Sequence, residues 1–294
     1  MSRLRLGSRG SALARTQAET VAAALGGAEV VTVRTADADV GDKARFVSGI
    51  ETAILDGEVE IGVHSAKDLP GELPEGLALV GVPGREDPSD ALIGPAAALD
   101  DLPAGARVGT SSLRRRSQLL ALRPDLEIAE LRGNVDTRLG RFAAGDYDAI
   151  VLATAGLARL GRAGEIAFRF GLDQLTPAPG QGCLALEAAA GDERSATAAA
   201  TISDRAALAE LAAERAAVRA MGASCDTPVG VCARFDERAL VVIGYAGSPD
   251  GDAWVRDRVE GDPEQPAALG DALAERMLAA GAGEILAAAA EASR

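Results

Sequence analysis

One segment concentrates the scarcest ionisable residues of the chain. The eight residues 63–70 read VHSAKDLP, and they include the single histidine, one of the two lysines and Asp68. They follow an apolar run that is typical of a buried strand, and ligands of open α/β sheets bind where such strands end. The pattern indicates a polar site at a strand exit, with a solvated strand end as the alternative.

Two further segments place arginine after a strand and at the start of a helix. Residues 109–116 read GTSSLRRR, and residues 131–138 read LRGNVDTR. The N–H groups and the dipole of a helix start attract anions, and arginine binds a carboxylate through two hydrogen bonds. Arginines at this position oppose the dipole unless an anion is bound. A basic surface helix or an RNA-binding patch is the alternative, although no aromatic residue for base stacking is interleaved.

A third feature is a cysteine in a loop. Cys225 lies in the sequence MGASCDTPVG (221–230), whereas Cys183 and Cys232 lie in apolar strand patterns and are expected to be buried structural residues. The Cys225 thiol is therefore a candidate nucleophile or attachment point. Together with Arg9 in the sequence GSRGS (7–11), these segments indicate a carboxylate-rich ligand in a cleft between two domains.

Strands that alternate with helices predict α/β construction for the first two thirds of the chain, and a βββα order predicts a small α+β domain at its end. The predicted strands are 3–7, 29–35, 60–64, 77–83, 107–109, 127–131, 149–153, 183–188, 228–234, 239–246 and 253–259. The predicted helices are 12–25, with Ser11 as its N-cap, and 47–56, 112–122, 135–144, 203–221, 266–280 and 283–292. The Ala-rich residues 196–200 also favour a helix. The Pro- and Gly-rich residues 176–182 mark a crossing between domains.

Composition bounds the function. The chain has 294 residues, enough for two or three domains, and its net charge of −14 argues against a nucleic-acid partner. Residues 105–145 nevertheless hold eight arginines against four acids, which indicates a local anion site. Three cysteines and one histidine are too few for a disulfide framework or a zinc site, so no metal is expected. No membrane span or signal peptide is apparent, and we expect a cytoplasmic protein.

The chain resembles the porphobilinogen deaminase family, whose members are also called hydroxymethylbilane synthases. Eight segments follow the order and spacing of that family: GSRGSALARTQ, VHSAKDLP, REDPSDAL, GTSSLRRRSQ, RPDLEIAELRGNVDTRL, YDAIVLATAGLARLG, PAPGQGCLALE and ASCDTPVG. The resemblance implies two periplasmic-binding-protein-like α/β lobes around a cleft and a small C-terminal α+β domain. The implied domains are 1–85 with 182–203, then 86–181, and finally 204–294.

The resemblance also implies a function in porphyrin, haem and cobalamin biosynthesis. Such a transferase joins four porphobilinogen units head to tail, releases four ammonia molecules, and frees the linear tetrapyrrole hydroxymethylbilane by hydrolysis. The growing chain is held on a dipyrromethane cofactor, which a thioether would attach to Cys225. Asp68 matches the catalytic carboxylate.

The remaining site residues are also implied by the resemblance. The positions that match cofactor contacts are Asp68, Lys67, Ser65, Thr110, Ser112, Arg114, Arg115 and Arg132. The positions that match substrate contacts are Arg9, Ser11, Gln17, Arg138, Arg159 and Gln181. Arg116, one step further along its helix, is expected to face solvent. Porphobilinogen would be the only partner of a monomeric enzyme, without a membrane or nucleic acid.

One departure from the family is visible between Arg34 and Phe46, where the sequence RTADADVGDKARF is shorter than the usual mobile loop. Lys43 and Phe46 still align there, while the role of Asp37 is open. A non-catalytic two-lobed protein that binds a carboxylate ligand is the alternative function, because fold alone does not separate it from the enzyme. Such a receptor needs neither a carboxylate in its cleft nor a thiol tether, so the pairing of Asp68 with Cys225 favours the enzyme.

Overall fold

The computed structural model describes residues 3–33, 43–224 and 227–292, with the side chains of 43–46 and 292 left out. The strands are β1 (Arg5–Ser8), β2 (Glu29–Thr32), β3 (Ile61–Ser65), β4 (Leu77–Gly81), β5 (Asp90–Ile93), β6 (Arg107–Gly109), β7 (Glu127–Ala129), β8 (Ala149–Ala153), β9 (Phe168–Arg169), β10 (Leu184–Ala189), β11 (Val229–Asp236), β12 (Ala239–Gly247) and β13 (Trp254–Gly261). The α-helices are α1 (Ala12–Ala24), α2 (Lys43–Leu55), α3 (Leu113–Leu122), α4 (Val135–Ala143), α5 (Thr154–Arg159), α6 (Glu193–Ala200), α7 (Arg205–Ala220), α8 (Pro266–Ala279) and α9 (Ala282–Ala292).

The chain divides into two compact units. Unit 1 consists of Met1–Glu86 and Gly182–Leu208, and unit 2 consists of Asp87–Gln181 and Ala209–Arg294. The last of these boundaries lies inside α7. Each unit is therefore built from two separate stretches of sequence.

Unit 1 holds a five-stranded mixed sheet in the order β2-β1-β3-β10-β4. β1 is parallel to β2 and β3, whereas β10 is antiparallel to β3 and β4. Because side chains alternate along a strand, Ile61 and Val63 join one core cluster with α1 and α6, while Gly62 lies under Ile50 of α2. A Cβ atom at Gly62 would come within 2.7 Å of the Ile50 side chain, so the missing side chain lets α2 pack closely on the sheet.

Unit 2 holds a second mixed sheet in the order β7-β6-β8-β5-β9 and an antiparallel sheet in the order β11-β12-β13. In the mixed sheet, β6 is parallel to β7 and β8, and β5 is antiparallel to β8 and β9. Small and apolar residues of α7, α8 and α9, including Ala217, Leu273 and Leu286, pack on the antiparallel sheet. The structure confirms the predicted fold class, with two mixed sheets packed by helices and a small C-terminal sheet with helices of its own.

The sequence pattern predicts most of the strands and helices, but not three short ones. β6 and β8 have their predicted bounds, and the other predicted elements differ from the observed ones by a few residues at their ends. The short strands β5 and β9 and the helix α5 were not predicted. β5 begins with an aspartate, a residue that is depleted in strands.

A buried carboxylate joins the Pro- and Gly-rich crossing to the C-terminal sheet. Glu214 of α7 has no solvent exposure, and its two oxygens accept hydrogen bonds from the backbone N–H of Gly180 at 2.6 Å and of Ala233 at 2.7 Å. The Val231 N–H also donates to Pro177 O at 3.0 Å. These bonds hold the crossing against β11.

We predict that Glu214→Ala destabilises the protein, because it leaves two buried N–H groups without their acceptor, at roughly 1–3 kcal/mol each. The control is Glu275→Ala, which removes an exposed glutamate from α8 and is expected to change stability by less than about 0.5 kcal/mol. Urea unfolding of the three proteins measures both effects. Equal stability of the two variants would contradict the role given to Glu214.

Candidate active site

The carboxyl ends of β1 and β3 carry the polar residues of unit 1. These strands are parallel neighbours, so Arg9, which follows β1, and Asp68, which follows β3, lie at the same edge of the sheet. Arg9 Nη2 is 3.8 Å from Asp68 Oδ2, and both side chains are partly exposed. Asp68 ends a 3-10 turn (Ala66–Asp68) between Ser65 and the buried Leu69. The Asp68 carboxylate is thus fixed at a sheet edge and accessible to a ligand.

A second contact at this edge joins Gln17 of α1 to Ser65. The buried Gln17 donates from Nε2 to Ser65 Oγ at 3.0 Å, and the hydroxyl is 3.3 Å from Gln17 Oε1. Ser11 caps α1 as predicted, since its side chain accepts from the Ala14 N–H at 3.3 Å. Lys67 is half-buried in the 3-10 turn. The structure therefore brings the predicted unit 1 residues to one edge.

Beneath this edge lies a buried cluster that the sequence analysis did not identify. His64 Nε2 is 3.0 Å from Glu187 Oε2, at ion-pair distance without a regular hydrogen bond among the described residues. Glu51 of α2 is also buried. Burial raises the pKa of the Glu51 carboxyl, the nearby Glu187 carboxylate raises it further, and His64 opposes both effects. The cluster holds two carboxyl groups and one imidazole.

The carboxyl ends of β6 and β7 carry the polar residues of unit 2. Ser112 caps α3 by accepting from the Arg115 N–H at 3.4 Å, and the buried Thr110 Oγ1 accepts from the Ser112 N–H at 3.2 Å. Arg138 links the two strand ends, because its Nε donates to Gly133 O at 2.7 Å and its Nη2 to Ser111 Oγ at 3.3 Å. The loop before α3 is thereby held by its own hydroxyl groups and by Arg138.

Two other predicted arginines lie near these ends. Arg132 is exposed and contacts Glu130 Oε1 from both Nε and Nη2 at 2.6 Å. Arg159 is the last residue of α5, which directly follows β8, and β8 is the other parallel neighbour of β6. All three parallel strands of this sheet thus lead to a predicted arginine or hydroxyl residue.

The sequence predicts an anion beside Arg114 and Arg115, and the structure places one there that belongs to the protein itself. Both are buried and both contact Asp90, which has no solvent exposure. Arg114 Nη1 donates to Asp90 Oδ2 at 2.7 Å, and Arg115 donates to Asp90 Oδ1 from Nε at 3.0 Å and from Nη2 at 2.6 Å. The protein itself supplies an anion at the start of α3. In the sequence, the only sign of this contact is that Asp90 precedes an apolar run in the segment REDPSDAL (85–92), to which we gave no role.

The structure also gives contacts for Arg116 and Gln181. Arg116 was expected to face solvent, but it is half-buried and donates to Pro249 O at 3.1 Å and to Ile128 O at 3.0 Å. The expectation was wrong because the C-terminal sheet domain covers that side of α3. Gln181, which matched a substrate contact, is buried and donates to Pro88 O at 2.7 Å and to Asp90 Oδ1 at 2.9 Å.

The structure describes two of the three cysteines, and both have the buried position that the sequence predicts. Cys183 and Cys232 are buried, and neither forms a disulfide. Cys225 lies outside the described residues, as do Asp37 and most of the short segment after Arg34. Within the described ranges no group of His, Cys, Asp or Glu could hold a metal ion, and no helix there is long and apolar enough to cross a membrane.

The fold is that of a multidomain α/β protein. The arginine and hydroxyl side chains at the ends of its parallel strands suit a ligand rich in carboxylates. The family model described as "Porphobilinogen deaminase, dipyromethane cofactor binding domain" matches residues 4–197, and "Porphobilinogen deaminase, C-terminal domain" matches residues 208–279. The chain belongs to the porphobilinogen deaminase family, which makes it an enzyme of tetrapyrrole biosynthesis whose first matched region binds a dipyrromethane cofactor.

Individual relatives agree with this assignment. The porphobilinogen deaminase of Syntrophus aciditrophicus is 43% identical over 298 residues, covering 96% of this chain and 97% of the relative. That of Roseiflexus castenholzii is 49% identical over 249 residues, covering 84% and 82%. That of Thermus thermophilus is 43% identical over 293 residues, covering 96% and 97%.

Solved structures with a weaker likeness were also found. A YaeC-family lipoprotein from Enterococcus faecalis has a TM-score of 0.41 at 12% identity, covering 69% of this chain and 92% of that chain. The VFT2 domain of BvgS from Bordetella pertussis has a TM-score of 0.40 at 15% identity, covering 68% and 85%.

The buried cluster of unit 1 gives a prediction about pH. Because the pKa of Glu51 is raised in the folded chain, its contribution to stability is fully present below the unfolded pKa and is lost as pH rises through the folded value. We expect the Tm of Glu51→Gln to rise relative to the original protein as pH is raised across a range that starts near the ordinary glutamate pKa of about 4.3, because the unfolded chain then ionises this carboxyl before the folded one does. Thermal unfolding across this range measures the difference.

The matched control is Glu58→Gln, which neutralises an exposed glutamate shortly after α2. Its Tm is expected to follow that of the original protein across the range. A Tm difference for Glu51→Gln that stays constant or shrinks as pH rises would contradict the prediction.

Proposed function

We propose that this chain joins four porphobilinogen units head to tail, with loss of four ammonia molecules, and releases the linear tetrapyrrole hydroxymethylbilane by hydrolysis. The observation that carries the proposal is the match of the deaminase family models over 4–197 and 208–279. We further propose the domain division 1–85 with 182–203, 86–181 and 204–294. The net charge of −14 supports an activity without a nucleic-acid partner.

The donor groups of the described residues fit a dipyrromethane. Each of its two pyrrole rings carries an acetate and a propionate, so it needs fixed cations and hydrogen-bond donors. Arg114 Nε is buried without a hydrogen-bond partner in the described part of the chain, and a ligand carboxylate would satisfy it. Thr110, Ser112 and Arg138 lie at the strand ends beside α3. When bound, the cofactor supplies the pyrrole α-carbon to which the first substrate is joined.

In unit 1, Asp68 is proposed as the catalytic carboxylate. A positive charge develops on the substrate when ammonia leaves its aminomethyl carbon, and a fixed carboxylate stabilises that charge most when it is fully developed. Asp68 also accepts hydrogen bonds from pyrrole N–H groups, which holds the substrate in reacting geometry. The partial exposure of Asp68, 3.8 Å from Arg9, supports this role, because the carboxylate lies near a cation and stays accessible to substrate.

The other matched residues are proposed to bind carboxylates and ring N–H groups. In unit 1 these residues are Arg9, Ser11, Gln17, Ser65 and Lys67. In unit 2 they are Thr110, Ser112, Arg114, Arg132, Arg138 and Arg159. Their positions at the ends of parallel strands support the proposal, since ligands of α/β sheets bind there.

We expect Cys225→Ser to give a folded protein without the cofactor. A serine hydroxyl is a far weaker nucleophile than a thiolate, so the thioether cannot form. Intact-protein mass measures the result, since the purified original protein should exceed its sequence mass by two linked pyrrole rings. Cys183→Ala and Cys232→Ala are the controls, and both are expected to keep the added mass. Added mass on Cys225→Ser would remove this residue as the anchor.

We expect Asp68→Asn to keep its cofactor and bind porphobilinogen, yet to lose at least about 100-fold in kcat, the usual scale for removing one electrostatic or acid–base group. The amide keeps the shape of the side chain and loses its charge, so the transition state suffers more than substrate binding. Steady-state kcat and KM, together with ammonia release in a single turnover, measure the split.

Two variants bracket this result. Asp68→Glu keeps the charge one methylene further out and is expected to retain more activity than Asp68→Asn. Glu72→Gln removes an exposed carboxylate four residues away and is expected to have nearly unchanged kcat. A kcat for Asp68→Asn within a few-fold of the original protein would take Asp68 out of the mechanism.

A further inference from the structure

Three side chains donate hydrogen bonds to the buried Asp90 carboxylate. Arg114, Arg115 and Gln181 donate to its two oxygens at distances between 2.6 and 3.0 Å. Complete burial alone would raise the pKa of this carboxyl, but the charges of Arg114 and Arg115 and their hydrogen bonds hold it well below its usual range. The Asp90 carboxyl is therefore ionised at neutral pH.

The charges at this point do not cancel. Two guanidinium groups face one carboxylate, which leaves one net positive charge in a buried position. A buried charged donor without a partner is costly, because it has lost its hydration without a replacement. One such donor is Arg114 Nε, which lacks a partner in the described residues. A ligand carboxylate would supply both the acceptor and the missing negative charge.

The two arginines present opposite edges to Asp90. Arg114 uses both hydrogens of Nη1, one on Asp90 Oδ2 at 2.7 Å and one on Thr176 O at 2.8 Å. The guanidinium group is planar and rigid, so these two bonds fix the direction of its Nε–Nη2 edge. Arg115 instead turns its own Nε–Nη2 edge onto Asp90 and donates from Nη1 to Val151 O at 2.9 Å.

We propose that Asp90 is a positioning residue: it holds Nη1 of Arg114 so that the Nε–Nη2 edge forms a two-bond site for one carboxylate of the dipyrromethane, while Arg115 holds Asp90 in place. This inference rests on the proposed function. It assigns different roles to two arginines that match the family as equal cofactor contacts. Arg114 contacts the cofactor, and Arg115 acts through Asp90.

The first test compares Arg114→Lys with Arg115→Lys. Each variant keeps the positive charge and one donor for Asp90, so both are expected to fold. Lysine at 114 has no second edge for a carboxylate, and we expect the fraction of purified protein that carries the cofactor mass to fall at least about tenfold, the scale of one charge-assisted contact. Arg115→Lys is expected to carry the cofactor on at least half of its molecules. Equal cofactor content in the two variants would overturn the inference.

The second test is Asp90→Asn, with Asp125→Asn as its control. The amide presents an N–H₂ group toward Arg114, so the arginine loses its orientation, and we expect a folded protein with little cofactor. Asp125 pairs with Arg123 on the surface of the same sheet domain, and its variant is expected to keep the full cofactor content. A folded Asp90→Asn with full cofactor content would overturn the inference. If Asp90→Asn does not fold by circular dichroism, the two lysine variants decide.

The Tm and the cofactor content of these variants together distinguish a structural role of Asp90 from a positioning role. If Asp90 only stabilised the fold, both lysine variants would lower Tm while keeping the cofactor, and the inference would fail. The original protein separates this failure from that of the proposed function. Original protein without the mass of two pyrrole rings contradicts the proposed function itself, whereas fully loaded original protein and fully loaded Arg114→Lys contradict only the role of Asp90.

Discussion

The Asp90 carboxylate has no contact with solvent, and its oxygens accept from two arginines of α3 and from Gln181. This one group joins three distant parts of the sequence: the start of β5, the first turn of α3 and the crossing before β10. Breaking a buried ion pair by removing one partner costs about 3–5 kcal/mol, because the other charge stays buried and unpaired. The polar edge of unit 2 therefore depends on a contact within the sheet domain before any ligand is bound.

The two units bury different sets of ionisable side chains. Unit 1 places two carboxyl groups, Glu51 and Glu187, around the imidazole of His64, beneath the edge that carries Asp68. Unit 2 places two guanidinium groups around one carboxylate. A carboxylate such as Asp68 suits a reaction in which a cation develops, and guanidinium groups suit binding of carboxylates. This difference agrees with the division of labour proposed for Asp68 and Arg114.

Local patterns were enough to predict most strands, the Ser11 cap and the position of Arg9 and Asp68 at strand exits, because each follows from apolar periodicity or from the residue types at the end of an element. They were not enough for β5. Asp90 is explained by Arg114, which lies 24 residues away, and no local pattern encodes that contact. The solvent-facing position expected for Arg116 failed for a similar reason, since its acceptor Pro249 lies 133 residues further on.

The order of strands in unit 1 has a consequence for how the chain is made. β10 lies between β3 and β4, yet it is encoded after the whole second mixed sheet. During synthesis, β3 and β4 leave the ribosome long before the strand that joins them, and both keep an unpaired edge until Ala189 has emerged. Exposed edges of this kind invite pairing with other chains. The first sheet to be translated is therefore the later of the two mixed sheets to close, and two of its strand edges stay open to wrong pairing during that interval.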